Sequence, residues 1–85
     1  MNSNPWSKLE ITNNLEEVFS KPPGIYFHDC QDATDNPLKG TMTLSITVVL
    51  NERWGMQYIL SSHRMRNRDK SGGVLTEWRV MIQLS

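Results

Sequence analysis

Apolar and polar residues alternate most regularly in residues 41–50, TMTLSITVVL. The apolar side of this pattern carries Met42, Leu44, Ile46 and Val48. The other side carries the hydroxylic residues Thr41, Thr43, Ser45 and Thr47. A period of two with one apolar and one hydroxylic side is typical of a half-buried antiparallel strand. We therefore expect a strand here, with its apolar side buried in the core.

Three other segments also have strand patterns. Residues 25–31, IYFHDCQ, are short and rich in aromatic and β-branched side chains. Residues 56–66 alternate as far as Leu60, and residues 74–85 alternate to the end of the chain. The turn-forming segments NERWG and NRDKSGG separate the last three strands. Because sequential strands joined by short turns usually pair, these four strands predict an antiparallel meander.

The segment TNNLEEVFS, residues 12–20, predicts a helix. Asn13 and Glu16 have the spacing of a capping box, and negative charge is favoured in the first turn. One side of this helix would carry the apolar residues Ile11, Leu15, Val18 and Phe19. Two prolines at 22 and 23 would end it. Residues 6–12 fit either a helical turn or a strand.

These elements predict one small α+β domain, residues 1–85, in which the N-terminal helix packs on one face of a four-stranded antiparallel meander sheet. The helix is the candidate cover for the apolar sheet face. An extended arm over residues 56–66 would reach about 36 Å. A compact chain of this size has a diameter of only about 30 Å. We therefore expect the last hairpin to project from the globule.

The charges cancel overall but are unevenly distributed. Nine basic and nine acidic side chains give no net charge, which argues against a chain-wide polyanion binder. Residues 1–40 contain three basic and six acidic side chains, whereas residues 41–85 contain six basic and three acidic ones. The two halves either neutralise each other inside the fold or present two faces of opposite charge.

Basic residues of the second half cluster in SSHRMRNRDKSGG, residues 61–73. At the tip of a projecting hairpin, this cluster would be positioned to bind a partner. The predicted contact residues are Arg64, Arg66, Arg68 and Lys70, with His63 and Trp54 as further candidates. Guanidinium groups form paired hydrogen bonds with phosphate groups, so the cluster suits a nucleic acid. Arginine together with methionine and large apolar groups is also typical of protein interfaces.

Catalytic and metal chemistry have little support in the sequence. Cys30 and His28 would share one side of a strand, but this spacing is no recognised nucleophile–base signature. Cysteine and histidine total three residues, fewer than the four ligands of a structural zinc site. The acids at 29, 32 and 35 lack the spacing of a calcium loop. We expect no enzymatic activity, no bound metal and no cofactor.

The favoured interpretation is a small non-catalytic protein that acts by protein–protein interaction, as an adaptor or inhibitor of the kind that phages and mobile elements carry. The alternative is nucleic-acid binding through the same basic hairpin. A homodimer could form through the outer sheet face, with Leu75 and Met81 exposed near Ile59 and Val49. One cysteine permits no internal disulfide, and the sequence has no signal-peptide pattern or membrane span. We therefore expect a cytoplasmic protein.

Overall fold

A single mixed β-sheet forms the frame of the computed structural model, which describes residues 9–81. Its strands are β1 (Glu10–Ile11), β2 (Gly24–Asp29), β3 (Leu44–Asn51), β4 (Trp54–Leu60), β5 (Met65–Ser71), β6 (Val74–Leu75) and β7 (Arg79–Val80). They are ordered β1-β2-β3-β4-β5-β6 across the sheet, and β7 also pairs with β5. The β1–β2 pair is parallel, and the other pairs are antiparallel.

The predicted N-terminal helix is absent from the described residues, whose only helical segment is a 3-10 helix at Glu16–Ser20. The α+β prediction is therefore wrong, because the described chain is mostly β. Asn14 Oδ1 and the Asp35 carboxylate accept the first backbone N–H groups of this segment, so a distant loop replaces the predicted capping box. Pro22 follows almost at once and prevents extension. Within residues 9–81, no helix has the length and apolarity needed to cross a membrane.

The strands β2 and β3 form close to where the residue pattern predicts them, so these two predictions are confirmed. The strand predicted over residues 56–66 is confirmed only in its first part, because β4 ends at Leu60. Residues 67–73 were predicted to be a turn, but residues 67–71 belong to β5 and only Gly72 and Gly73 form a turn. The turn between β4 and β5 lies at residues 61–64, where the Ser61 N–H donates to the Arg64 carbonyl. The meander of four strands and the projecting basic tip are therefore wrong, because the basic segment is itself a strand paired on both sides.

Both ends of the predicted pattern differ from expectation. The ambiguous segment 6–12 contains β1 at its C-terminal end, and its first residues, including Trp6, lie outside the described part of the chain. The predicted last strand, 74–85, is divided into β6 and β7. Residues 82–85 also lie outside the described part.

The face of the sheet that is buried is the polar one. Thr43, Ser45 and Thr47 are completely buried, whereas Leu44, Ile46 and Val48 lie half-buried on the other face, so the predicted orientation of β3 is wrong. The cover is a layer of irregular chain, residues 12–20 and 30–41, which we call the covering layer. Its two segments are joined by a 2.9 Å hydrogen bond from the Thr34 N–H to the Asn13 carbonyl.

Irregular backbone explains why a polar face is buried. A covering layer without regular structure leaves backbone carbonyls that need hydrogen-bond donors, which an apolar sheet face does not supply. Gln57 Nε2 donates to the Leu15 carbonyl at 2.6 Å and to Thr47 Oγ1 at 3.0 Å. Within the covering layer, Asn36 Nδ2 donates to the Cys30 carbonyl at 2.8 Å and also to Thr43 Oγ1 at 3.0 Å.

The apolar core lies between the covering layer and the polar face. Its members are Leu15, Cys30, Ala33, Leu38 and Ile59, with Trp78 packed against them. Nearby, the ring of Phe19 lies so close to Gly55 that a Cβ there would come within 2.9 Å of it. Val49 and Ile59 are buried, so the prediction that they lie on an exposed outer face is wrong.

Candidate protein interface

The apolar sides of β2, β3 and β4 face away from the covering layer and form what we call the open face. Pairing places Phe27, Ile46 and Tyr58 side by side in its middle row. The open face comprises Ile25, Phe27, Leu44, Ile46, Val48, Met56, Tyr58, Leu60 and Met65. It is therefore a continuous apolar surface that extends over four strands.

Several side chains of the open face are largely exposed to solvent. Ile25 is 61 % exposed, Phe27 is 50 % exposed and Met56 is 38 % exposed. Four strands at about 4.8 Å spacing, each contributing about six residues, give a surface of roughly 400 Å². Contiguous apolar patches of this size on a single chain frequently mark interaction sites. The open face is thus the strongest candidate for a functional surface in the described chain.

Polar residues border the open face along β5 and β7. Arg79 Nη2 lies 3.2 Å from Asp69 Oδ1, and Arg79 Nε donates to Asn67 Oδ1 at 3.0 Å. At the opposite edge, Asp29 ends β2 beside Leu44. An apolar centre with a polar border is the usual anatomy of a protein–protein interface.

A groove of about 580 Å³ lies at one end of the open face. It is lined by Thr41, Met42, Leu44, Leu60, Ser61, Ser62, His63 and Arg64. Two of the predicted contact residues, His63 and Arg64, therefore lie next to apolar side chains. His63 Nδ1 is 2.9 Å from Ser62 Oγ, and Arg64 is exposed and forms no ion pair within residues 9–81.

The structure does not bring the six predicted contact residues into one patch. Arg66, Arg68 and Lys70 are alternate residues of β5, so all three lie on the covered side of the sheet. Arg66 Nη1 donates to the Met65 carbonyl, and Lys70 Nζ lies 5.8 Å from the centre of the Phe19 ring. Trp54 begins β4 and is therefore at the opposite end of that strand from His63 and Arg64.

Arg68 is an internal residue and is only 7 % exposed. Its Nη2 donates to Asp35 Oδ2 at 3.0 Å, and its Nε donates to Gln57 Oε1 at 2.9 Å. The guanidinium also stacks on the Trp78 ring, 4.3 Å from the ring centre. Trp78 in turn donates its indole N–H to the Asp35 carbonyl. The charged group of Arg68 therefore connects β5 to the covering layer.

Sequence reasoning did not identify Ile25, Phe27 and Met56 as contact residues, because it assigned the apolar side of the sheet to the core. One signal could have corrected this assignment. The hydroxylic side of β3 is continued on β4 by Gln57, opposite Thr47. A side-chain amide that lies among hydroxyl groups can satisfy the backbone of an irregular cover.

The side chains of His28 and Cys30 contact different partners. His28 Nε2 lies 3.5 Å from Glu10 Oε1, and burial lowers the pKa of His28, an effect that Glu10 opposes and Lys21 reinforces. Cys30 contacts the Thr43 hydroxyl at 3.4 Å, and burial raises the pKa of its thiol. Within residues 9–81, no group of three or more histidine, cysteine or acidic side chains is arranged to hold a metal ion.

Comparison with protein-family models, with curated proteins and with solved structures finds no match to this chain. Its function is therefore inferred from the open face and its surroundings.

Proposed function

We propose that this protein is a non-catalytic interaction module, an adaptor or inhibitor, whose contact surface for another protein is the open face. One observation supports this proposal: the sheet buries Thr47 and its polar neighbours while Phe27 and Ile25 remain in solvent. Removing apolar surface from water contributes about 25 cal/mol per Å². A patch of roughly 400 Å² thus offers on the order of 10 kcal/mol, before the costs of association.

The residue types of the open face also suit binding. Phe27, Tyr58 and Met56 belong to the classes of side chain that are enriched at protein interfaces. They project from paired strands, so little conformational entropy of the backbone would be lost on binding. The face can therefore act as a preformed surface.

The groove at the end of the open face provides a place for specificity. Met42, Leu44 and Leu60 form apolar walls, and Arg64 stands beside them in the turn. A partner that places an apolar side chain in the groove and a carboxylate next to Arg64 would satisfy both features. An arginine–carboxylate pair at the edge of an interface mainly improves the rate of association and the specificity.

The proposal is tested with charged substitutions on the open face. Phe27→Glu and Ile25→Glu place a carboxylate within the exposed part of the patch on β2, and Val80→Glu is the control. Val80 is 70 % exposed but pairs with Arg66 on the opposite side of the sheet. The tagged chain is used to capture a partner from its native host, and that partner is purified for calorimetric titration with each variant.

We expect both open-face variants to weaken binding by at least about 30-fold, the effect of losing an interface hot spot. The Val80→Glu variant should bind within about threefold of the parent chain, because surface substitutions away from a contact have small effects. Circular dichroism confirms that each variant is folded. Equal affinity for all three variants would show that the open face is not the contact surface.

The same purified proteins also test nucleic-acid binding. Arg68 is buried, which leaves Arg64, Arg66 and Lys70 as the basic residues of the cluster that could contact phosphates. Binding of DNA or RNA that declines steeply with salt, and that Arg64→Ala weakens, would favour this alternative over protein binding.

A further inference from the structure

We infer that the partner on the open face is a second copy of this chain, packed face to face about a two-fold axis. This inference rests on the proposed function, because it names the occupant of the same surface. The two-fold axis lies in the plane midway between the two sheets and runs across the strands, at right angles to them. Each strand then lies over its own counterpart and runs in the opposite direction.

The distribution of polarity across the open face supports this axis. Pairing arranges the face in three rows across the strands. The groove-end row holds Asp29, Leu44, Leu60 and Met65, the middle row holds Phe27, Ile46, Tyr58, Asn67 and Arg79, and the far row holds Ile25, Val48, Met56 and Asp69. Rotation about the middle row exchanges the other two rows, so apolar positions on β3 and β4 meet apolar positions.

The other in-plane axis gives a poorer match. A two-fold axis parallel to the strands would place β2 over β5. Phe27 would then face Asn67 of the second copy. Burying an amide against an aromatic ring without a hydrogen-bond partner is costly. Asp29 and Asp69 lie opposite apolar side chains about either axis, so the middle row decides between the two axes. There the perpendicular axis places Phe27 over Phe27. The perpendicular axis instead keeps Asn67 and Asp69 together at one polar edge of both copies.

Charge complementarity at that edge adds to the argument. Arg79 lies in the middle row, 3.2 Å from Asp69 of its own copy. Rotation brings Asp69 of the second copy into the groove-end row, on the other side of the same arginine. Arg79 of the second copy lies opposite on the axis, so the two arginines and the two Asp69 carboxylates alternate at this edge. Alternating charges of this kind favour a defined register between the copies.

The available area is sufficient for a dimer. The six strands from β2 to β7 occupy five positions across the sheet, because β6 and β7 both pair with β5. Including the polar edge, they cover roughly 24 Å by 20 Å, or about 500 Å² on each copy. Two copies would bury about 1,000 Å² in total, which is the lower limit for a specific interface. Sheets packed in this way lie about 10 Å apart and cross at about 30°. We therefore expect a dimer that dissociates on dilution.

The mass of the full chain, measured by sedimentation velocity over a wide range of concentration, tests the inference. We expect a concentration-dependent dimer. Ile46→Asp places two like charges opposite each other on the axis and should yield a monomer, as should Phe27→Glu. Val80→Asp, on the opposite side of the sheet, should leave the dimer intact. Circular dichroism of each variant separates loss of the dimer from loss of the fold.

Spin labels on Phe27→Cys test the axis itself. Because Phe27 lies in the middle row of β2, its two copies should be within roughly 10–20 Å, the separation of stacked sheets plus the label arms. The parent chain serves as the labelling control, since its one cysteine, Cys30, is buried. When β2 lies over β5, the two positions are also offset by about 15 Å across the strands, so a Phe27 separation above roughly 20 Å would overturn the perpendicular axis.

Two other outcomes separate this inference from the proposed function. In the first, the chain remains monomeric but Phe27→Glu abolishes binding of a different protein. This result overturns the inference of a homodimer and retains the open face as a contact surface. In the second, the dimer persists in Ile46→Asp and in Phe27→Glu, and the open face binds no other protein. This result overturns the inference of a homodimer through the open face and the proposed function.

Discussion

The guanidinium of Arg68 donates a 3.0 Å hydrogen bond to the carboxylate of Asp35, which lies 33 residues earlier in the chain. This contact joins the basic second half of the sequence to the acidic first half. The Asp35 carboxylate also accepts the backbone N–H groups of Leu15 and Glu16, so one side chain holds both segments of the covering layer. Part of the uneven charge along the sequence is therefore neutralised inside the fold.

Removing either member of this pair should destabilise the protein strongly. Arg68→Ala leaves the carboxylate without its ion pair, and Asp35→Ala leaves a buried guanidinium uncompensated. Breaking a buried pair costs about 3–5 kcal/mol, and because the Asp35 side chain is 26 % exposed we expect about 2–4 kcal/mol in urea unfolding. Arg79→Ala breaks an exposed pair and should cost less than about 1 kcal/mol. Equal losses for Arg68→Ala and Arg79→Ala would contradict an internal role for Arg68.

Gly55 should not tolerate a side chain. A Cβ at this position would lie 2.5 Å from the Val48 carbonyl oxygen and 2.9 Å from the Phe19 ring. We expect Gly55→Ala to lower the free energy of unfolding by roughly 1–3 kcal/mol, as overpacked sites do. Gly24→Ala is the control, because its Cβ would meet only the movable Tyr26 side chain, at 3.3 Å. If urea titration shows similar stabilities for the two variants, Phe19 does not pack on β4 as described.

The positions of β2, β3 and the first part of β4 followed from the sequence, but the direction in which they face did not. Alternation in β3 shows that Ile46 and Thr47 lie on opposite sides, and it is silent on which side is covered. The prediction assumed that a helix would provide an apolar cover. Irregular chain provides it instead, and its Leu15 carbonyl accepts a hydrogen bond from Gln57 on the side that carries Thr47.

The basic cluster was mistaken for a turn because its glycines and charges resemble a loop. Arg66, Arg68 and Lys70 also alternate with a period of two, which is compatible with a strand. A strand with three cations on its inner side requires an acid on the facing layer. That acid, Asp35, lies far away in sequence, so the local pattern could not reveal the pairing.

Acidification should destabilise the protein through His28. The unfolded histidine ionises near pH 6.5, whereas burial lowers the pKa of His28 in the folded state. The unfolded state thus binds more protons below pH 6.5, and stability present above that pH is lost as the pH falls towards the folded pKa. Urea titrations at several values between pH 7.5 and pH 5 should show this decline in the parent chain. His28→Gln should reduce it, and His63→Gln, which keeps His28, should retain it.

Gln57 should be required for stability although it never meets solvent. Its amide donates to the Leu15 carbonyl and to Thr47, and its oxygen accepts from Arg68. Gln57→Leu has a similar size but leaves the buried Arg68 Nε without a partner, which costs about 1–3 kcal/mol. It also removes one of the two hydrogen bonds to the Leu15 carbonyl, which still accepts the Val18 N–H, and this loss costs about 1 kcal/mol. We expect a total loss of about 2–4 kcal/mol in urea unfolding. The exposed Gln31 provides the matched control, and Gln31→Leu should change stability by less than about 0.5 kcal/mol. A Gln57→Leu variant as stable as the parent would mean that the polar face is not held by hydrogen bonds to the covering layer, and the argument for an outward apolar face would lose its physical basis.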